Sequence, residues 1–197
     1  VASALESCLS QTLEDIEVIC VDDASTDGTC AVIERYRQDD SRLRLIRQEV
    51  NQSAFQARRV GIAAAAAPYI LFLDGDDQLV PRASEIALQV ALAHEADVVG
   101  LGVEILVDDG QRAPRFERSL QPTHAELLHP NILPALFPVG VPAQGHIWRY
   151  LFATDLLLQA YAEFAEDVRF YRANDIPITF LALARATKYV STNERLY

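Results

Sequence analysis

Apolar and polar positions along this chain fall into blocks whose period alternates between that of a helix and that of a strand. Ala2, Leu5, Cys8 and Leu9 share one helical face within residues 1–12. Residues 16–22 (IEVICVD) follow as a buried strand, residues 31–38 return to helical spacing, and residues 43–46 form a short strand. Residues 52–66 predict an alanine-rich helix carrying Arg58 and Arg59, closed by Pro68. The run Tyr69-Ile70-Leu71-Phe72-Leu73 then reads as a strand buried on both faces, as under the helices of a parallel sheet. This α-β-α-β-α-β order predicts an α/β fold, a three-layer α/β/α sandwich around a mostly parallel, doubly wound sheet.

Beyond it, Pro81 suits a helix N1 position ahead of residues 82–94, and residues 97–106 predict another strand. Asp108-Asp109-Gly110 reads as a turn. After residue 111 the regularity falls. Pro114, Pro122, Pro130, Pro134, Pro138 and Pro142 interrupt apolar pairs, which predicts short helices and loops covering one end of the sheet. Residues 147–152 lead into a helix over 154–162. Asp175 as N-cap with Pro177 just inside predicts a helix to about residue 186, and residues 189–192 a short strand.

Composition narrows the function classes. Half of the 197 residues are hydrophobic, enough for a sizeable core. The net charge of −11 argues against an electrostatic grip on nucleic acid and against a polybasic membrane anchor. Lys188 is the only lysine. Cys8, Cys20 and Cys30 show no metal-binding or redox spacing, which predicts reduced thiols and a cytoplasmic setting, with Cys20 a small core residue. His124, His129 and His146 fit no zinc pattern. No apolar run reaches the length of a membrane span. The chain carries no methionine and opens inside a helical pattern, so it reads as truncated.

The candidate chemistry sits at two strand ends. Asp22-Asp23 follows the first strand, and Asp74, Asp76 and Asp77 follow the strand that begins at Tyr69. In open α/β sheets ligands bind at the carboxyl ends of strands, so both clusters are expected to line one pocket. Closely spaced carboxylates repel unless a cation lies between them, and hard oxygen ligands suit Mg or Mn, which suit phosphates. Arg58 is placed to neutralise phosphate. The competing reading of each cluster is a turn with solvated acids and an N-cap from Ser25, Thr26 or Asp27.

The run from Gln11 through Asp22-Asp23-Ala24-Ser25-Thr26-Asp27-Gly28-Thr29 resembles the start of family 2 glycosyltransferases. Asn51, Ala57-Arg58, Gly61-Ile62, Ala65 and Tyr69 to Asp77 follow the order N-x-G-x-x-x-A-R-N-x-G-I…A-x-G-x-Y-I-x-F-L-D-x-D-D. The chain departs from that order at Ser53, Arg59 and Ala67, where the family has Gly, Asn and Gly. The resemblance is specific over residues 5–80 and weaker over 148–196. It implies the GT-A fold as a single domain over residues 1–197, with a nucleotide-sugar half (1–110), an acceptor half (111–197) and the family's first strand missing.

By the same resemblance, Asp23 contacts the nucleotide base with Asp22 in support, and Arg58 lies near the donor diphosphate. Asp74 and Asp76 match the D-x-D, and Asp76 and Asp77 meet ribose and a divalent metal, Mn or Mg. The implied reaction is an inverting transfer from a nucleotide-sugar, UDP-sugar favoured, to a carbohydrate or lipid-linked acceptor in cell-surface polysaccharide synthesis. The resemblance leaves room for peripheral association with the inner face of a membrane. Asp175 fits the family's base position best. Asp167, in a Glu166-Asp167 pair that lies eight residues too early, is second. Trp148 is a weaker expectation, either stacking on acceptor sugar or packing in the core. Two rival readings stand beside this one: a phosphoacceptor receiver-like domain, which needs a lysine near the acids, and a catalytically inactive nucleotide-sugar-binding module.

Overall fold

The computed structural model describes residues 1–106, 113–141 and 145–197. The expected turn at Asp108-Asp109-Gly110, and Pro142, lie outside the described residues. The first strands are β1 (Val18–Asp22) and β2 (Leu43–Arg47), a parallel pair in register from Val18 opposite Leu43 to Asp22 opposite Arg47. They are flanked by α1 (Ala2–Leu9) and α2 (Thr29–Asp39), and joined through α3 (Ala54–Ala64) to β3 (Tyr69–Leu71). Next come α4 (Ala83–His94), β4 (Val98–Gly102), α5 (Pro114–Leu120), β5 (Glu126–Leu128) and α6 (Ile132–Leu136). A single 3-10 turn leads into β6 (Tyr150–Ala153), and α7 (Thr154–Tyr161), α8 (Ile176–Arg185) and β7 (Lys188–Arg195) complete the chain.

The second sheet has the order β3-β6-β4-β7-β5. Both β3 and β4 pair antiparallel with β6, so those two run the same way, and β7 lies parallel to β4. The α/β class therefore holds, but the sheet is mixed rather than doubly wound and parallel. The reason is β6, a four-residue apolar strand from the second half of the chain. It takes hydrogen bonds on both edges, from β3 on one side and β4 on the other, and so separates those two strands. It and β5 are the two strands that periodicity did not reveal, both too short to show a period.

Side chains alternate across this sheet as the pleat requires. Val98, Phe152 and Tyr189 face a core with Phe55 of α3, Leu157 of α7 and Ile178 and Leu183 of α8. Their neighbours Val99, Leu151 and Val190 face the other way, against Ala83, Ala87 and Ala91 of α4. A third, smaller cluster of Leu5, Ile33 and Leu43 joins α1 and α2 to the parallel pair. The run at Tyr69 corrects the expectation of a strand buried on both faces. Only Tyr69–Leu71 is strand, and all three residues are half-buried, because β3 is an edge strand. Likewise β1 is shorter than residues 16–22 and mostly half-buried. Pro81 stands ahead of the N-cap Arg82 rather than at N1.

Cys8, Cys20 and Cys30 are free thiols. Burial pushes Cys8 and Cys20 up to about 11, the behaviour of packed rather than reactive cysteines. Among the described residues no helix is long and apolar enough to cross a membrane.

The strand expected over residues 97–106 stops at Gly102, where the β4–β7 register shifts. A Cβ on Gly102 would lie 2.5 Å from the backbone oxygen of Glu194, and backbone cannot swing aside as a side-chain tip can. Gly102→Ala is therefore expected to cost about 2 kcal/mol, the usual scale for overpacking, read as a lower denaturant midpoint at unchanged slope. A midpoint equal to wild type would show that the 193–195 bend yields freely.

Candidate active site

Asp22 ends β1 with its carboxylate buried. Its Oδ1 accepts the Ser25 N–H at 3.3 Å and its Oδ2 accepts from the Cys30 thiol at 3.1 Å. The Ser25 hydrogen bonds hold this carboxyl below the usual carboxylate range. The Cys30 thiol and the Arg47 guanidinium act in the same direction, and burial opposes them. Asp23 faces the other way: its Oδ1 accepts the Gln52 N–H at 2.7 Å and its backbone carbonyl accepts from the Asn51 side chain at 3.3 Å. The chain turns just after the pair, through Ala24 at φ 62. Of the three expected caps, Asp27 is the one that binds near the start of α2, accepting the Thr29 N–H at 2.9 Å. An open cleft beside Asp22 is lined by Ala24, Ser25, Thr26, Arg47 and Gln48.

The loop that Asp23 grips runs into α3, and Ser53 sits at its N-cap with φ 85 and ψ 154. That region of backbone space is essentially reserved for glycine, which explains why the resembled family carries Gly at this place. Ser53 is 4% exposed and its hydroxyl has no hydrogen-bond partner. The substitution thus adds strain and an unsatisfied polar atom together.

Arg58, four residues into α3, is the hub of the site. It is mostly buried, with 14% of its side chain exposed. One terminal nitrogen donates to Asp175 Oδ1 at 2.5 Å and to Asn174 Oδ1 at 2.5 Å, and the other reaches Asp74 Oδ1 at 3.4 Å. Asp175 occupies the N-cap of α8 but makes no side-chain capping bond, its carboxylate being turned to Arg58 instead. The simple capping explanation of Asp175 therefore fails. Asp74 is pushed above its ordinary range by partial burial first. The charges of Asp175 and Asp77 push the same way, and Arg58 opposes them.

Asp74 to Asp77 forms a tight turn, with the Asp77 N–H donating to the Asp74 carbonyl at 3.1 Å. Asp76 is exposed and Asp77 half-buried. The Tyr197 hydroxyl accepts the Asp74 N–H at 3.1 Å and donates to Asp77 Oδ2 at 2.8 Å. The Tyr197 ring stacks on Trp148 at 4.6 Å and 22°, with His146 a further 5.3 Å from Trp148. One face of Trp148 is thus covered, which favours the packing reading over a stacking platform for sugar. Burial lowers the His146 imidazole below its usual value, helped by Arg149 and opposed by Asp175 and Asp74.

The structure brings Arg58, Asp74 and Asp175 together, and ties Asp77 to Asp74 through Tyr197. It leaves Asp167 exposed on the turn after α7, where the flanking Glu166 and Val168 carbonyls accept from Gln56. The sequence reading missed Asn174, Tyr197 and His146 as site residues. No local pattern marks Tyr197, which lies 120 residues from Asp77.

With this geometry in place, the comparisons decide the family. Residues 1–152 match Glycosyl transferase family 2. The chain belongs to that family. Uncharacterized glycosyltransferase EpsJ of Bacillus subtilis is 32% identical over 100% of this chain and 56% of its own length. Putative glycosyltransferase EpsH of the same organism is 29% identical over 98% of this chain and 55% of its own length. Crystal structures of S. aureus TarS share the fold: TarS 1-349 superposes with a TM-score of 0.76 at 25% identity, over 99% of this chain and 54% of that one. The chain thus spans about half the length of the relatives it matches. Family membership removes the receiver-like reading. Its required lysine is also elsewhere, since Lys188 opens β7 and pairs with Glu126 at 3.7 Å.

Two outcomes test this description. Ser53→Gly is expected to raise stability by about 1 kcal/mol, strain relief of roughly 1–3 kcal/mol less the entropy cost of glycine, seen as a thermal midpoint higher by about 2–4 °C. A lower midpoint would mean that the hydroxyl has a role in the fold. Asp22 has a folded pKa below its unfolded value of about 3.9, so its contribution is present above that pH and lost as pH falls through the folded pKa. The stability difference between wild type and Asp22→Asn should be constant above about pH 5 and shrink below pH 4. A constant difference down to pH 2 would refute the assignment.

Proposed function

We propose that this domain is the catalytic part of an inverting glycosyltransferase that moves a sugar from a nucleoside-diphosphate donor to the hydroxyl of a carbohydrate or lipid-linked acceptor. The observation that carries the reading is the fork of Arg58, which joins the strand-end aspartate Asp74 to Asp175 at the mouth of α8. A cation beside strand-end carboxylates and a loop aspartate is the arrangement a nucleoside diphosphate needs. The S. aureus TarS structures include complexes with UDP and with UDP-GlcNAc, which supports a UDP-sugar donor here. A 29% identical relative over 59% of this chain, TuaG of B. subtilis, bears a putative role in teichuronic acid biosynthesis, which supports a cell-surface polysaccharide product.

In this reading Asp23 contacts the nucleotide base as a hydrogen-bond acceptor, with Asp22 holding the turn that follows it. The diphosphate lies against Arg58. The acceptor oxygen attacks the anomeric carbon from the face opposite the diphosphate and its proton passes to Asp175. The bond from the anomeric carbon to the diphosphate oxygen breaks, and the nucleoside diphosphate leaves with that electron pair. Because Arg58 orients the Asp175 carboxylate in the free protein, diphosphate binding at Arg58 also changes the surroundings of the base.

Among the described residues, no three or more His, Cys, Asp or Glu side chains converge into a metal cage. The residues present nevertheless fit Mg or Mn, which bind through one or two carboxylates with the remaining positions left to waters and substrate phosphates. Asp77 and Asp76 are the two that would hold the ion. When bound it supplies charge neutralisation at the leaving diphosphate.

The test uses the full-length protein. UDP with Mn at a hundredfold excess over Kd should stabilise it by about 2.7 kcal/mol. Asp175→Asn should keep that stabilisation and lower kcat about 100-fold or more, whereas Asp167→Asn should turn over as wild type does. Stabilisation without turnover on any nucleotide-sugar would support the inactive binding module. An absence of stabilisation by any nucleoside diphosphate with metal would remove the donor site altogether.

A further inference from the structure

We infer that Tyr197 is a positioning residue that fixes the Asp77 carboxylate for a divalent cation, with Trp148 as the support that holds Tyr197 in place. The inference rests on the donor-site reading above and extends it to two residues outside the acidic motif. The phenolic oxygen accepts the backbone N–H of Asp74 at 3.1 Å. An ionised carboxylate can only accept, so in the 2.8 Å contact with Asp77 Oδ2 the phenol is the donor. One hydroxyl therefore spans the turn from its first residue to its last. It restrains rotation of the Asp77 carboxylate by occupying one oxygen, and the other would be the one to hold a cation.

The post is built to be rigid. Tyr197 is only 9% exposed. Its carbonyl accepts the Glu104 N–H at 2.8 Å, and the preceding Leu196 donates to Gly102 at 2.9 Å and accepts from Val80 at 3.1 Å. Trp148 lies nearly parallel to the tyrosine ring, at 4.6 Å and 22°, and is itself packed against the core on the α4 side of the sheet. Carboxylate ligands held in this way by an outer hydrogen bond lose metal affinity when that bond is removed, commonly by 10–100-fold. A merely structural tyrosine would not show that dependence, because Tyr197→Phe keeps the ring, its stacking and its burial.

The decisive measurement is the Mn dissociation constant in the presence of saturating UDP, read by calorimetry or by the electron paramagnetic resonance of free Mn, in the full-length protein. UDP affinity in EDTA and the metal-free thermal midpoint are measured alongside. Tyr197→Phe is expected to raise the Mn dissociation constant about 10–100-fold with UDP affinity in EDTA unchanged. Trp148→Leu, which leaves the hydroxyl but removes its support, should raise it in the same direction. If wild type binds Mn with UDP and both variants bind it equally well, the inference is overturned while the donor site stands. If wild type binds no Mn with UDP, the donor-site reading fails and this inference with it.

Discussion

The fork of Arg58 is the contact on which the site depends. Asp74 and Asp175 come from opposite halves of the chain and converge on one guanidinium. The Asp175 charge pushes the Asp74 carboxyl up, and the guanidinium between the two opposes it. Arginine suits that position because its planar fork offers several donors at once. The helix that carries it is anchored accordingly. Phe55, three residues earlier, is fully buried among Tyr161, Phe164 and Phe170 at 4.9, 5.2 and 4.9 Å. Gln56 holds the backbone of the 166–168 segment. Helix α3 therefore fixes both Arg58 and the stretch of chain that leads to Asp175, and the cation and its acids are positioned by one rigid element.

The same logic explains the mixed sheet. A parallel arrangement of β3 and β4 as neighbours would leave the 74–77 turn supported by its own strand alone. With β6 between them, Trp148 is delivered just before that strand, beside Tyr197 at the end of β7. The turn is then held from beneath by the tyrosine, and the chain just after it by α1 and the residues that follow that helix. Ser7 accepts the Leu79 N–H at 3.1 Å, and Gln11 donates to the Val80 carbonyl at 2.8 Å. Four short polar contacts replace what a longer strand would have supplied.

Much of this was legible in the sequence because it is local. The acid clusters and Arg58 follow from residues close together in the chain, and the preference for Asp175 over Asp167 from the order that the resemblance supplies. The alternation of helix and strand through β4 follows from periodicity. What was not legible is what depends on partners distant in sequence. β6 and β5 are too short to carry a period, and their place is set by what they pair with. The half-exposure of β3 depends on its position at a sheet edge, which its apolar residues do not encode. Tyr197 lies 120 residues from Asp77, and only the path of β7 beside β4 makes them neighbours. Ser53 belongs to neither group: its departure from the family glycine was visible, and its cost became apparent only with the backbone angle.

These features share a direction. Ser53 holds a glycine-only conformation, Asp74 is pushed towards its protonated form by burial and neighbouring acids, and Asp175 forgoes capping α8 to face Arg58. Each departs from what would stabilise the free fold, and all three lie within a few residues of the contacts that assemble the site. A fold selected for stability alone would have a glycine at the first, an amide at the second and a capping contact at the third. Scattered strain would call for three separate explanations. The departures at Asp74 and Asp175 meet at one guanidinium, and under the function proposed above they share one explanation, an environment that a bound diphosphate and its counter-ion would complete.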